Sequence, residues 1–380
     1  MDGASPRQTR ATRFAIIGAG FAGASTAWAL ARLGEGPGLI LERESSYGVH
    51  ASGRNAGLLK ISEDDAIVRA LAVRTAERFR AMEADEIDLV RHAGGLTLCA
   101  ADRAAGLDEL HDHLRRDGID AERWSAGQAR ERFPFLGRIA FDAALWCGAE
   151  GVVDVHALLT HYLRAARAGG FTLRTDCGVD ELTVEAGRVV GVETPAGRIR
   201  ADVVIDATGA WAGRLGRAGR PLPLQPVRRH LFVSGPVEGV TRALPFVWVE
   251  GADFYFRTEG DGLLLSPCDQ TPAEPGMPST DPAAAEMLAD KIARHAPGLG
   301  NLSLRKAWAC LRTFAPDRRP LIGADPDLPG LFHVSGLGGF GMMTSAAVGE
   351  LAALSVTGRT PDWIDAASMT PGRHGPAQFR

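Results

Sequence analysis

The stretch FAIIGAGFAGASTAWALARLG, residues 14–34, decides the fold. It sets Gly18, Gly20 and Gly23 between an apolar run at 14–17 and a helix-like segment at 22–33. A second apolar run at 39–41 follows and closes on Glu42. Strand, glycine turn, helix and strand make a βαβ start. In such a unit the first glycine permits a tight turn and the second lets the backbone approach a pyrophosphate. The third lets the helix pack close to the strand. The helix N-terminus then offers N–H groups and partial positive charge to phosphates. Glu42 stands where an acid bonds ribose hydroxyls and repels a 2′-phosphate. The stretch therefore implies a bound dinucleotide, and by itself it serves a nicotinamide or a flavin equally well.

Working outward, 380 residues with 45% hydrophobic content allow two domains with real cores. A net charge of −4 gives no electrostatic argument for nucleic acid. The polar opening MDGASPRQTRATR lacks the apolar centre of a secretory leader, and no apolar run is long enough for a membrane span. Five cysteines without a CxxC pair fit reduced thiols, so a cytoplasmic location is expected. The ten histidines do not cluster as metal ligands; His156 and His161, five apart, do not share a helix face. No metal is expected.

Along the chain, a Gly/Ser-rich loop after Glu42 leads to a helix starting near Asp65. A strand is read at 96–99, and a helix at 156–168 precedes strands at 171–174, 179–184 and 189–193. The apolar strand in ADVVIDATGAWAG should rejoin the first sheet. Between about 227 and 314 short strands alternate with turn signals, which implies an antiparallel sheet with one helix near 283–294. The fold class is α/β: a doubly wound, Rossmann-like nucleotide domain in pieces, with an antiparallel substrate domain inserted. The boundaries read are 11–85, 140–225 and 315–362 for the first domain, 86–139 and 226–314 for the second, and 363–380 as a C-terminal tail whose last dozen residues read as loose.

A second glycine loop, GLGGFG at 336–341, precedes a C-terminal helix. A helix N-terminus there favours negative charge, as on the pyrimidine edge of a reduced flavin, and a nicotinamide has no such need. The other reading of the loop is a plain tight turn. SGRNAG at 52–57 is a third backbone-rich segment that can line the flavin ring.

The segments AIIGAGFAGAS, HASGRNAG, GVVDVHAL, VVIDATGAWAG, WACLRTFAPDRRPLIG and VSGLGGFGMMTSAAVGELAA resemble the D-amino-acid oxidase superfamily of FAD-dependent amine oxidoreductases. They run in family order over nearly the whole chain. LQPVRRHLF, ADFYFR, CLRTF and TSAAVGE resemble most the bacterial D-arginine and broad D-amino-acid dehydrogenases. The resemblance implies tightly bound FAD, hydride transfer from the α-carbon to the flavin, and an imine that hydrolyses to a 2-oxo acid and ammonia. It implies FAD contacts from Gly18, Gly20, Phe21, Ala22, Gly23, Glu42, Arg43, Ser52, Gly53, Arg54, Asn55, Ala56, Val179, Thr208, Gly209, Trp211, Cys310, Gly338, Gly339, Phe340 and Gly341. The expected electron acceptor is oxygen or a quinone, and the expected state a monomer or small homo-oligomer.

An amino-acid carboxylate over a flavin calls for a planar, bidentate donor, which arginine supplies better than lysine. Arg312 and one of Arg228 and Arg229 sit on strands of the inserted sheet. Neighbouring strand residues face opposite ways, so only one of the pair points at the ligand; the resemblance favours Arg229. Tyr255, between two phenylalanines, adds a hydrogen bond to the same carboxylate. Phe246 and Trp248 fall on the pocket strand. Leu58 and Glu63 replace a histidine and a tyrosine of the arginine-oxidising relatives, which argues against D-arginine itself and towards an apolar or aromatic substrate. Glu63, Asp64 and Asp65 otherwise read as acids at a helix start.

Cys310, Thr313, Pro316 and Asp317 repeat the C-x-x-T-x-x-P-D spacing of monomeric sarcosine oxidases, whose cysteine binds FAD covalently. Non-covalent FAD beside a buried cysteine is the preferred reading. The leading function is oxidation of a D-amino acid. Its rivals are a secondary-amine oxidase (sarcosine-like or cyclic imino acids), a 2-hydroxy-acid dehydrogenase, a flavin subunit without a substrate, and an NAD-dependent dehydrogenase.

Overall fold

The computed structural model describes residues 10–85, 87–215 and 221–374; the opening through residue 9 and the last six residues of the tail lie outside them. The chain passes back and forth between two units. One is built from the pieces Met1–Gly53, Val155–Pro226 and Arg312–Arg380, the other from Arg54–Asp154 and Val227–Leu311. Two crossings, at 226/227 and 311/312, fall close to the boundaries read from sequence. The other two, at 53/54 and 154/155, give residues 54–85 and 140–154 to the second unit. There Leu58–Leu59 and Gly151–Val153 pair with each other, and Gly151–Val153 also pairs with Val90–Arg91, in a small sheet of their own.

In the first unit five parallel strands lie in the order Leu331–Ser335, Gly197–Asp206, Arg10–Ile17, Gly38–Leu41 and Phe171–Arg174. Where they run side by side, at 14–17, 38–41, 204–206 and 331–335, their residues are buried, as a parallel sheet covered on both faces requires. Helix Phe21–Arg32 packs between helices Val155–Ala168 and Ser345–Val356, and its residues 21–30 are all buried. The small residues permit this: a side chain on Gly349 would meet the carbonyl of Ser25 at 2.3 Å. Tyr162 stacks its edge on Phe21 and bonds Ser345 Oγ at 2.9 Å. On the other face Ala15, Ile17, Leu39 and Leu41 meet Leu182, Val189, Val192 and Leu328. The long strand Gly197–Asp206 forks. Its first half pairs antiparallel with Arg188–Thr194, and its second half pairs parallel with Leu331–Ser335. As far as His374 the tail is docked, against the expectation of a loose end: Met369 is fully buried, and Arg373 grips Asp317 through two bonds of 2.8 Å.

The second unit carries a nine-stranded sheet. Between 225 and 272 its pairings are antiparallel, as expected for that stretch, and Phe246–Val249 adds a parallel join to Gly95–Cys99 from an earlier piece of chain. Those two strands come from separate pieces of chain, so no hairpin forces them antiparallel. One face buries Leu96, Leu98, Val247, Val249, Phe254, Phe256, Leu263 and Leu265 against Leu288 and Ile292 of helix Pro282–His295. By the two-residue period of strands the opposite face presents Thr97, Trp248, Tyr255 and Ser266, which sit side by side across the ladder.

Candidate functional site

The glycine turn closes the strand Arg10–Ile17 at the carboxyl end of the parallel sheet, where open α/β sheets bind ligands. Gly18 holds φ at +101°, and a side chain there would lie 2.6 Å from the carbonyl oxygen of Ala207. Gly23 lies so close to Gly18 that its Cβ would meet the Gly18 carbonyl at 2.0 Å. Gly20 is the N-cap of helix Phe21–Arg32 and, lacking a side chain, makes no cap bond of its own. Ser52 Oγ accepts from the Phe21 N–H at 2.9 Å and occupies the space a Gly20 side chain would fill. Glu42, expected on a ribose, first braces the turn. Its Oε2 accepts from Ala19 N–H at 2.9 Å and its Oε1 from Glu44 N–H at 3.0 Å. Each oxygen keeps a lone pair for a further donor.

The neighbouring loops bring several expected residues together. Thr208 donates its hydroxyl to Asp206 at 2.6 Å, and Gly209, at φ +61°, opens the short turn Gly209–Trp211. The guanidinium of Arg43 lies 3.8 Å from the centre of the Trp211 ring, with His50 against the same ring at 4.9 Å. The bond from His50 holds the Glu44 carboxyl below its ordinary value. Val179 is partly buried against the core of Leu182, Val189 and Val192. In the second glycine loop Gly338 donates to Thr313 O at 2.9 Å, and a side chain on it would strike the Phe314 ring. Phe340 meets that ring edge-on, and the space beside Gly339 is taken by the Arg312 guanidinium, 2.7 Å from where a Cβ would stand. Arg312, Gly338, Gly339 and Phe340 thus form one assembly. Gly341 begins a four-residue turn, and the helix starts only at Ser345.

In the second unit the two adjacent arginines part. Arg228 pairs with Asp281 at 2.6 Å. Arg229 is buried, donates its Nε–H to Asp269 O at 2.8 Å, and by alternation shares its side of the strand with Leu231. Leu231, Tyr255, Leu264, Cys268, Cys310 and Ala56 pack into one cluster, flanked by Leu58, Trp248 and Trp308. Trp248 stacks on Tyr255 at 5.4 Å with 12° between the planes. The segment at 52–57 is divided: Ser52 and Gly53 stay with the glycine turn, while the next three residues line this cluster's side. There Arg54 O accepts from Trp308 Nε1 at 2.9 Å and Ala56 O from Arg257 Nε at 2.5 Å; Asn55 Oδ1 closes its own turn on Gly57 N–H at 2.8 Å.

Several partners escape sequence reading. Asp269 supports Arg229 and also binds His230 Nδ1 at 2.7 Å, although nothing in LSPCDQ signals it. His230 Nε2 accepts from the Asp281 N–H at 2.9 Å, so the proton of the neutral ring sits on Nδ1. Lys60 is buried 5.6 Å from the Trp248 ring centre and 3.2 Å from Glu63. Burial opposes its charge, but Glu63 and Glu150 outweigh that and its pKa is raised. Burial pushes Glu150 up as well, although it takes the N–H groups of Ile61 at 2.6 Å and Ser62 at 2.7 Å. Of the three acids read as a helix start, Asp65 alone is the N-cap, bonding Ile67 and Val68.

The first turn of helix Phe21–Arg32, the close-packed glycine turn of Gly18, Gly20 and Gly23 that admits no side chain, and the buried acid at Glu42 suit the ADP portion of FAD. Residues 13–354 match the family model described as FAD dependent oxidoreductase, DAO. The chain is 28% identical to mouse mitochondrial sarcosine dehydrogenase over 377 residues, covering 90% of this chain and 39% of that protein. With the D-amino acid dehydrogenase of Cereibacter sphaeroides it shares 30% over 205 residues, 54% of this chain and 46% of that protein. The chain thus spans less than half the length of these two relatives. The crystal structure of iminodiacetate oxidase from Chelativorans sp. BNC1 superposes with a TM-score of 0.77 at 26% identity, over 94% of this chain and 99% of that one.

Proposed function

We propose, for a chain that belongs to the family of FAD dependent oxidoreductases, that its substrate is an α-amino acid carrying a substituent on nitrogen. The observation that carries this is the wall around Arg229: one buried guanidinium, one buried phenol, and two indole rings among aliphatic side chains. Arg229 suits a carboxylate bidentately, and Tyr255 adds a donor. The indoles of Trp248 and Trp308 offer apolar surface to an alkyl group on the nitrogen. Similarity to sarcosine dehydrogenase along most of the chain, and to iminodiacetate oxidase, supports a secondary amine.

Bound FAD would supply a hydride acceptor for the carbon next to nitrogen. Arg229, Tyr255 and Arg312 are proposed to fix the carboxylate so that this carbon is presented in one orientation. The amine binds neutral, so no protein base is required, and the apolar wall keeps water from the reacting carbon. The imine hydrolyses after release. For the cofactor, Gly18, Gly20, Phe21, Ala22, Gly23 and Ser52 are proposed to hold phosphate and Glu42 the ribose. Arg43, Gly53, Thr208, Gly209 and Trp211 are proposed to line the same cradle. Arg54, Asn55, Ala56, Gly338, Gly339, Phe340 and Gly341 are proposed for the flavin end, with Cys310 a non-covalent neighbour and Val179 a support from the core side. Oxygen or a quinone is proposed as acceptor. A cytoplasmic site is supported by five buried cysteines that form no disulfide.

A second reading, a primary D-amino acid, draws on the match to D-amino acid dehydrogenase over half of the chain. Anaerobic mixing with N-methyl amino acids, D- and L-amino acids and 2-hydroxy acids separates them through bleaching of the flavin absorbance. N-alkyl substrates are expected to bleach it fastest. Bleaching by primary D-amino acids alone selects the second reading. Bleaching by hydroxy acids alone refutes carbon–nitrogen oxidation, and no bleaching by any of them leaves a flavin subunit without a substrate.

A further inference from the structure

Asp206, His333 and Asp325 form a buried line of charge in the first unit, 1%, 1% and 6% exposed. His333 Nε2 lies 2.9 Å from Asp325 Oδ2, and its Nδ1 lies 3.5 Å from Asp206 Oδ2. The carboxylates spend their remaining capacity on backbone. Asp325 Oδ1 accepts from the N–H groups of Asp327 and Leu328 at 2.9 and 2.8 Å. Asp206 Oδ1 accepts from Thr208 N–H at 3.1 Å and from its hydroxyl at 2.6 Å; Oδ2 accepts from Gly213 N–H at 3.0 Å. One carboxylate thereby holds both ends of the turn at 208–213. Ser335 Oγ donates to Asp206 O at 3.3 Å, and Asp206 faces His333 across the sheet. This turn abuts the glycine cradle through the Ala207 carbonyl, the atom that a side chain on Gly18 would strike.

We propose that His333 is a positioning residue for FAD: its imidazolium fixes the turn at 207–213 against Gly18 and offsets one of two carboxylate charges beside the cofactor's pyrophosphate. Among the described residues the charged groups acting on the ring are Asp206, from strand Gly197–Asp206, and Asp325, from the turn after strand Leu321–Ala324. Burial opposes the ring's charge, but the two carboxylates outweigh it and raise its pKa to about 9. A raised folded-state value means that the contribution is complete below the ordinary histidine range and is lost as pH climbs through about 9. Above that pH the trio gains a negative charge and a dianionic ligand is repelled.

The inference rests on FAD occupying the Gly18 cradle. The test strips FAD from the purified protein and titrates it back by quenching of flavin fluorescence, from about pH 6.5 to about pH 10. Wild type is expected to bind tightly at neutral pH and about tenfold more weakly beyond about pH 9. His333→Gln is expected to bind about tenfold more weakly at neutral pH, with a flat profile. Asp325→Asn is expected to move the inflection to lower pH. A His333→Gln protein that binds like wild type and keeps the alkaline inflection overturns the inference. Should that variant not fold, wild type and Asp325→Asn decide: an absent or unmoved inflection overturns it. A wild type that takes up no FAD refutes the cradle itself, and the substrate panel above leaves this titration untouched.

Discussion

Replacing Arg229 by lysine tests the substrate assignment most directly. The guanidinium is buried, donates its Nε–H to Asp269 O at 2.8 Å, and shares a strand side with Leu231 in the Tyr255 cluster. Lysine keeps the positive charge but loses the Nε–H bond to Asp269 O and the planar pair of donors. A bond to a charged group contributes about 1.5–3 kcal/mol, and one such bond to the substrate is lost net. The expected fall in kcat/KM is therefore about 1.5–3 kcal/mol, roughly 10- to 150-fold. Arg228→Lys is the matched control. Arg228 is partly exposed and paired with Asp281 at 2.6 Å, so its replacement should cost at most about 1 kcal/mol of stability and leave kcat/KM within about twofold. Anaerobic stopped-flow reduction of the flavin, read against substrate concentration, gives both values, with thermal unfolding as the fold control. If Arg228→Lys impairs reduction and Arg229→Lys does not, the strand is facing the other way from the reasoning above.

Gly18→Ala combines a positive φ with a close approach to Ala207 O, and should cost about 1–3 kcal/mol and strip the yellow cofactor, read as the visible-to-280 nm absorbance ratio. Acid precipitation should leave flavin in the supernatant for wild type and Cys310→Ser alike; flavin that pellets with wild type alone establishes a covalent bond. The Asp317 carboxyl, though partly desolvated, is drawn down to about 2 by Arg373. A depressed value contributes stability above the unfolded carboxyl range and loses it as pH falls through about 2. Because Asp317 is about one-third exposed, Asp317→Asn should lower stability by only about 1 kcal/mol at neutral pH, and the difference should vanish in strong acid, read by denaturant unfolding.

What local pattern encodes was legible. The turn at Gly18, the helix after it, and the strand Phe171–Arg174 stand where periodicity and glycine chemistry put them. Strand Arg10–Ile17 starts four residues before its apolar run, because Arg10 to Thr12 pair with Ile199 to Ala201 of a strand that no local signal connects to them. The parallel join of Phe246–Val249 to Gly95–Cys99 was hidden for the same reason: the partner lies in another piece of chain. At the candidate site the glycines and arginines announced themselves by residue type. Their supports did not, since Asp269 beneath Arg229, Glu150 beneath Lys60 and Asp325 beside His333 are ordinary acids until the fold buries them. Alternation left the choice between Arg228 and Arg229 open; the ion pair to Asp281 and the shared side with Leu231 favour Arg229.

The fourfold crossing of the chain between its units has a consequence for biosynthesis. Strand Leu331–Ser335, which pairs with the fork in Gly197–Asp206, leaves the ribosome after every other strand of its sheet, and the second glycine loop and the helix that packs on Phe21–Arg32 follow it. Until then the nascent protein exposes one flank of its parallel sheet and the apolar side of its first helix. A chain truncated before Leu331 should therefore be an aggregation-prone product that captures no flavin, even though every residue of the opening glycine turn is present.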